Sequence, residues 1–128
     1  MGQRFLIDTN VIIDYTSNLI PGNGTAFVEN IFNTAFNTSV VVKIEVLGYN
    51  DVLAKMQLLE EFLSSATIFP LDDAIILKTI ELRRIKKIKL GDAVIAATAL
   101  VYNLVIITRN TADVNNITGL TCIDPHTL

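Results

Sequence analysis

The sequence predicts an α/β domain in three layers, with a central, mostly parallel β-sheet flanked by helices. Three observations lead there. Short runs rich in β-branched and aromatic residues, Phe5 to Ile7, Val40 to Val42, Thr67 to Phe69 and Leu104 to Ile107, have the length and unbroken apolar character of strands buried on both faces. Longer segments of helical spacing separate them, and such alternation implies parallel pairing through right-handed crossovers. The chain has 128 residues, 51% of them hydrophobic, which suits one domain over 1–128 with a substantial core.

Along the chain, the first strand runs into Asp8, a residue type that caps helices. Pro21-Gly22-Asn23-Gly24 has the composition of a turn between the first two helices. Residues 25–35 and 51–64 read as helices, and 72–88 as a longer one whose opening pair Asp72-Asp73 suits the positive end of a helix dipole. From Leu90, the apolar residues Ala93, Val94, Ala97, Leu100 and Val101 recur at helical spacing, and no charge follows Asp92 before the helix ends near Asn103. This predicts a central, buried helix. Cys122 is expected in a buried strand, packed as a small hydrophobe, and His126 in a solvated tail.

A formal net charge of −3 sets the chain apart from proteins that hold nucleic acid by bulk electrostatics, so any such contact must be local. With Cys122 as the single cysteine, neither an intrachain disulfide nor a cysteine-rich zinc site can form, and a reducing cytoplasm suits the protein. The apolar opening is too short for a signal peptide and is interrupted by Asp8; Leu6 stands where myristoylation of Gly2 would require Ser or Thr. No segment approaches the roughly 20 uncharged apolar residues that span a bilayer. The expectation is a soluble protein with no membrane partner. Nothing matches a phosphate-binding G-x-x-x-x-G-K-[ST] loop or a dinucleotide fingerprint.

Ligands of open parallel sheets bind beyond the carboxyl ends of the strands. Asp8 directly follows the first strand, Glu45 lies three residues after Val42, and Asp113 falls in the loop after Ile106-Ile107. Asp92 opens the buried helix that leads into the last of those strands. Each has a plain structural role as well: a helix cap for Asp8, a dipole partner for Asp92, a solvated side chain for Glu45 and a turn residue for Asp113. Their shared location predicts convergence. Carboxylates a few ångströms apart repel and raise one another's pKa, a conflict that a divalent cation resolves. Oxygen ligands without His or Cys favour Mg²⁺ or Mn²⁺, one ion or two, over zinc. Such a site activates water and stabilises the charge that builds on a phosphodiester, so the expected substrate is a phosphate ester.

These residues resemble a known family, the PIN-domain nucleases, and within it the VapC-like toxins of bacterial and archaeal toxin–antitoxin pairs. Phe5-Leu6-Ile7-Asp8-Thr9-Asn10-Val11-Ile12-Ile13-Asp14 resembles the first family motif, and Ile44-Glu45-Val46 with Gly48 the second. Gly91-Asp92-Ala93-Val94-Ile95-Ala96-Ala97-Thr98-Ala99 is similar to the third, and Leu104 to Asp113, with Thr108-Arg109-Asn110-Thr111-Ala112-Asp113 at its end, to the fourth. Gly119-Leu120 and Pro125 also stand where family members often have them. The resemblance implies a PIN-like sandwich whose acidic site is Asp8, Glu45, Asp92 and Asp113, with Glu45 reaching the metal directly or through water. Thr9, Asn10, Thr108 and Asn110 would support those ligands. The implied activity is endonucleolytic hydrolysis of RNA, leaving 3′-hydroxyl and 5′-phosphate ends, with a cognate antitoxin and a homodimer as implied assemblies. Val114, where an aromatic residue is common, and Lys43 depart from the family pattern.

Six of the ten Lys and Arg residues fall in one stretch, Lys78, Arg83, Arg84, Lys86, Lys87 and Lys89, opposed there by Glu81 alone. It leads straight to Asp92. Arg83, Arg84, Lys86, Lys87 and Lys89 are therefore candidates to contact RNA or an acidic partner segment, against the simpler reading of a solvated helix face. The apolar residues Ile12, Ile13, Leu19, Ile20, Phe27, Ile31, Phe32 and Phe36 suggest an interface on the first two helices. A phosphoacceptor receiver is disfavoured because Thr9 and Asn10 follow Asp8, and an aspartyl phosphatase because Asn10 replaces its second Asp. A non-catalytic PIN-like module that binds RNA or protein is the main alternative.

Overall fold

The computed structural model describes residues 4–114 and 116–128; Gly2, weighed above as a modification site, lies outside the described residues. Strand β1 (Phe5–Ile7) leads into α1 (Thr9–Thr16), then α2 (Gly22–Thr34), β2 (Asn37–Ser39), α3 (Val40–Leu47) and α4 (Leu53–Leu63). The second half runs β3 (Thr67–Phe69), α5 (Asp73–Ile85), α6 (Leu90–Tyr102) and β4 (Val105–Ile107), a 3₁₀ turn over Thr111–Asp113, β5 (Cys122–Ile123) and a final 3₁₀ turn over Pro125–Thr127. All pairing is parallel. β1 pairs with β4 in the register Phe5 to Val105 and Ile7 to Ile107, β5 adds to the far side of β4, and β2 pairs separately with β3. This is the α/β sandwich expected.

The junction between the two ladders is made by side chains. Asn37 Nδ2 donates to the Phe5 carbonyl at 3.2 Å and Thr38 Oγ1 to that of Ile7 at 2.6 Å, so β2 lies beside β1. Here the strand expected at Val40 to Val42 is corrected: those residues open α3, and the strand is the polar triplet before them. Ser39 Oγ accepts from Val41 N at 3.1 Å and caps the helix, while Val42 and Val46, one turn apart, are both fully buried. β-Branched residues fit a buried helix face as well as a strand when a cap starts the helix one residue earlier. Similarly, Gly22 to Gly24 form the first turn of α2 instead of a connecting turn. Gly24 is required there by close approach, because a Cβ would lie 1.8 Å from the Pro125 carbonyl oxygen.

One core joins the sheet to the first helices through Leu6, Ile7, Val11, Ile12, Val28, Val42 and Leu59; a second lies between α5 and α6 and contains Ile75, Leu82, Val94 and Ala97. α6 serves both, as its unbroken apolar sequence predicts, and Asn103 in the left-handed conformation (φ 56°) ends it. The interface expected on the first two helices is mostly consumed by this packing. Ile12, Ile20, Ile31 and Phe36 are buried, and Tyr15, Phe32, Phe36 and Phe62 stack with ring centroids 4.9–5.8 Å apart. Leu19 alone of that set is largely exposed. Among the described residues, no helix is long and apolar enough to cross a membrane.

Candidate active site

Asp8 stands where β1 becomes α1, and both of its carboxylate oxygens are engaged. Oδ1 accepts from Thr9 N at 2.8 Å as the helix cap, and Oδ2 accepts from Thr108 Oγ1 at 2.9 Å, just beyond β4. Capping does not exclude a role as a ligand, since each oxygen keeps a free lone pair. Asp92, in the first turn of α6, and Asp113, closing the 3₁₀ turn after β4, share one hollow with Asp8. Ile95, Ile106, Thr108, Asn110 and Val114 form its remaining walls. Its volume of about 10 Å³ is on the scale of a single water.

Glu45 approaches from the side. It is exposed in the last turns of α3, Thr9 Oγ1 donates to its Oε1 at 2.6 Å, and its Oε2 would stand 3.8 Å from a Cβ placed on Gly91, beside Asp92. Thr108 is the hub of the supporting groups. Its hydroxyl receives Asn10 Nδ2 at 3.2 Å and Asn110 N at 3.1 Å while donating to Asp8, and Asn10 Oδ1 receives Arg109 N at 2.9 Å. Thr9, Asn10, Thr108 and Asn110 therefore all gather where the sequence places them.

Burial is the main force on the Asp8 carboxyl and lifts its pKa above the usual carboxylate range; the charges of Asp92 and Glu45 push the same way, against the hydrogen bonds from Thr108 and Thr9. Asp92 is lifted too, first by burial and then by Asp113 and Glu45, with Lys89 opposing. The donors are carboxylates, hydroxyls and amides, a set that fits a hard divalent cation. Among the described residues, no three acids, histidines or cysteines already close around a common point as a metal cage would. The carboxylates instead line an open edge.

Adjoining it is a larger hollow of about 450 Å³, lined by Arg83, Lys87, Ile88 and Lys89 together with Asp92 and Asp113. Three of the five candidate contact residues thus border the acids. Lys86 instead lines a separate hollow between α5 and the segment after Asp113, and Arg84 is exposed and borders neither.

Two expectations near the C-terminal end are corrected. His126 is tied down, its Nε2 3.0 Å from Asp14 Oδ2, and Cys122, though in a strand as expected, is only partly buried. Asp14 itself was not singled out by the sequence reading. Its one signal is position: it lies three residues after Val11 on the buried face of α1, where an acid breaks the apolar stripe.

Fold and site together define a small parallel α/β domain with an acid-lined hollow at the carboxyl edge of its sheet. The PIN domain profile matches residues 5–117, and the chain belongs to that family. It is similar to a chain of a toxin–antitoxin complex from Klebsiella pneumoniae, at 30% identity over 94% of this chain and 97% of the other, with a TM-score of 0.77. VapBC-1 from nontypeable Haemophilus influenzae (22% identity, 96% and 98% covered, TM-score 0.79) and DNA-bound VapBC from Salmonella typhimurium (24%, 97% and 99%, 0.79) share the fold. A search of curated proteins gave no match.

Proposed function

We propose that this protein is a Mg²⁺- or Mn²⁺-dependent endoribonuclease acting as the toxin of a toxin–antitoxin pair. The observation that carries the reading is the meeting of Asp8, Asp92 and Asp113 in one hollow, where burial and acidic neighbours hold two of the carboxyls above their ordinary range. Asp8, Asp92 and Asp113 would hold one or two cations, with Glu45 contributing directly or through water. A cation bound there supplies an activated water and offsets the charge developing on the scissile phosphate. The chain's own residues fix the ligands: Thr108 orients Asp8, Thr9 holds Glu45, and Asn10 and Asn110 aim the Thr108 hydroxyl. Arg83, Lys87 and Lys89 draw the RNA backbone along the neighbouring hollow. With His126 engaged by Asp14, no histidine serves as a general base, in keeping with hydrolysis that leaves 3′-hydroxyl and 5′-phosphate ends.

The Klebsiella structure is of a toxin–antitoxin complex, and an antitoxin partner is proposed here by extension. Exposed Ile44, Tyr49, Val52, Leu53 and Leu58 offer apolar surface for that partner or for a homodimer. A monomeric mass by light scattering at micromolar concentration would count against the dimer. The deciding assay is cleavage of a mixed RNA pool in Mg²⁺ or Mn²⁺ by wild type, Asp8→Asn and Asp92→Asn. Cleavage abolished by EDTA and by both substitutions is expected. Activity persisting in both variants, or a folded wild type that neither binds Mn²⁺ nor cuts RNA, would sink the proposal and favour a binding module.

A further inference from the structure

We infer that Asp14 is a positioning residue for this site: through Arg109 it fixes the loop that carries Thr108, Asn110 and Asp113. The inference rests on the nuclease reading above. Asp14 lies in the last turns of α1, and its side chain is only 7% exposed. Its Oδ2 accepts from Arg109 Nη1 at 2.8 Å and faces His126 Nε2 at 3.0 Å. The Asp14 carboxylate is therefore committed to these two partners, and it does not line the acid hollow.

The consequence for the site follows from α1. The same short helix holds residue 109 at two points: near its start Asn10 Oδ1 accepts the Arg109 amide at 2.9 Å, and near its end Asp14 accepts the guanidinium. Between these anchors the backbone direction of the 108–110 loop is set. Thr108, immediately before, aims its hydroxyl at Asp8; Asn110, immediately after, reaches the wall of the hollow; and the turn bearing Asp113 follows at once. Arg109 is 52% exposed, so water covers much of its guanidinium, but the carboxylate end of the pair is enclosed. Loss of either partner frees the loop at one anchor. Loss of Arg109 also leaves a buried charge with the imidazole alone.

The test uses Mn²⁺ itself as probe, followed by electron paramagnetic resonance on wild type, Asp14→Asn, Arg109→Ala, Arg109→Lys and the double variant, with RNA cleavage kinetics in parallel. In protein shown to be folded at the assay temperature, Arg109→Ala and Asp14→Asn each weaken Mn²⁺ binding and lower kcat about tenfold, the low end for outer groups of metal sites. KM stays within about twofold, Arg109→Lys recovers part of the loss, and the double variant loses little more than either single one. Wild-type Mn²⁺ affinity and kcat in variants that merely melt earlier would reduce Asp14 to a structural clasp. A change confined to KM would mean that Arg109 touches RNA directly, which also overturns the inference. Failure of the wild type to bind Mn²⁺ would instead remove the nuclease reading, and this inference with it.

Discussion

The two leaves of the sheet support the acids in contrasting ways. In the β1–β4–β5 leaf, backbone ladders run continuously, and Asp8 is held at both oxygens by groups that are themselves hydrogen-bonded. The β2–β3 leaf meets β1 through the side chains of Asn37 and Thr38, and the helix it launches carries Glu45, held by the single hydroxyl of Thr9. The comparison separates a rigid half of the site, which sets where a cation would sit, from an adjustable half that brings up Glu45.

Replacing the rigid half should have the largest effect. Asp8→Asn and Asp92→Asn are each expected to lower RNA cleavage by on the order of a thousandfold, as measured by initial rates at saturating Mn²⁺. Glu45→Gln should cost about ten- to a hundredfold and be partly relieved by raising the metal concentration, as a side ligand would be. Equal losses in all three variants would erase the distinction. Next, Thr38→Val strips the Ile7 carbonyl of a buried donor at the junction, at about 1–3 kcal/mol by denaturant unfolding. Its remaining activity should fall only a fewfold, because the ladder under Asp8 is untouched.

Two smaller effects sharpen the picture. For single-stranded RNA, losing a phosphate contact lowers the salt dependence of binding by about 0.7 in log–log slope. Arg83→Ala, Lys87→Ala and Lys89→Ala should each show it, and Arg84→Ala and Lys86→Ala should not. The smallest effect concerns pH. Because burial first, and acidic neighbours next, raise Asp92 above its unfolded pKa, the native state holds its proton more tightly. The contribution of Asp92 to metal-free stability is then greatest below the ordinary carboxylate range and declines as pH rises through the raised value. At neutral pH the ionised Asp92 weakens the fold, so Asp92→Asn should raise the metal-free Tm by about 1–2 °C, after allowance for solvent screening. That gain should vanish at acid pH. Asp8→Asn gains less, because an amide is a poor match for the Thr108 hydroxyl.

How much of this was legible follows the same divide. Phe5 to Ile7 ending in Asp8, and the charge-free run after Asp92, announce themselves because strand, cap and buried helix each leave a local pattern. That Asp8, Asp92 and Asp113 meet at one end of the sheet could be read from their places after strands and at a helix start, whereas Thr9, Asn10, Thr108 and Asn110 were named only through the family resemblance. The β2 strand could not be read from the chain, because Asn37, Thr38 and Ser39 are polar yet buried, their side chains satisfied by Phe5, Ile7 and Val41 in a manner no hydropathy pattern encodes. The Asp14–His126 contact escaped for a similar reason. It joins residues 112 positions apart, and nothing near either one signals the other.

The final turn is tied to the first two helices by two separate attachments. Residues 125–127 fill the space beside Gly24 on α2, and His126 covers the buried carboxylate of α1. Replacing His126 by Ala would therefore uncover the α1 carboxylate while the Pro125 carbonyl still seats α2 at Gly24, so the two attachments can be broken one at a time.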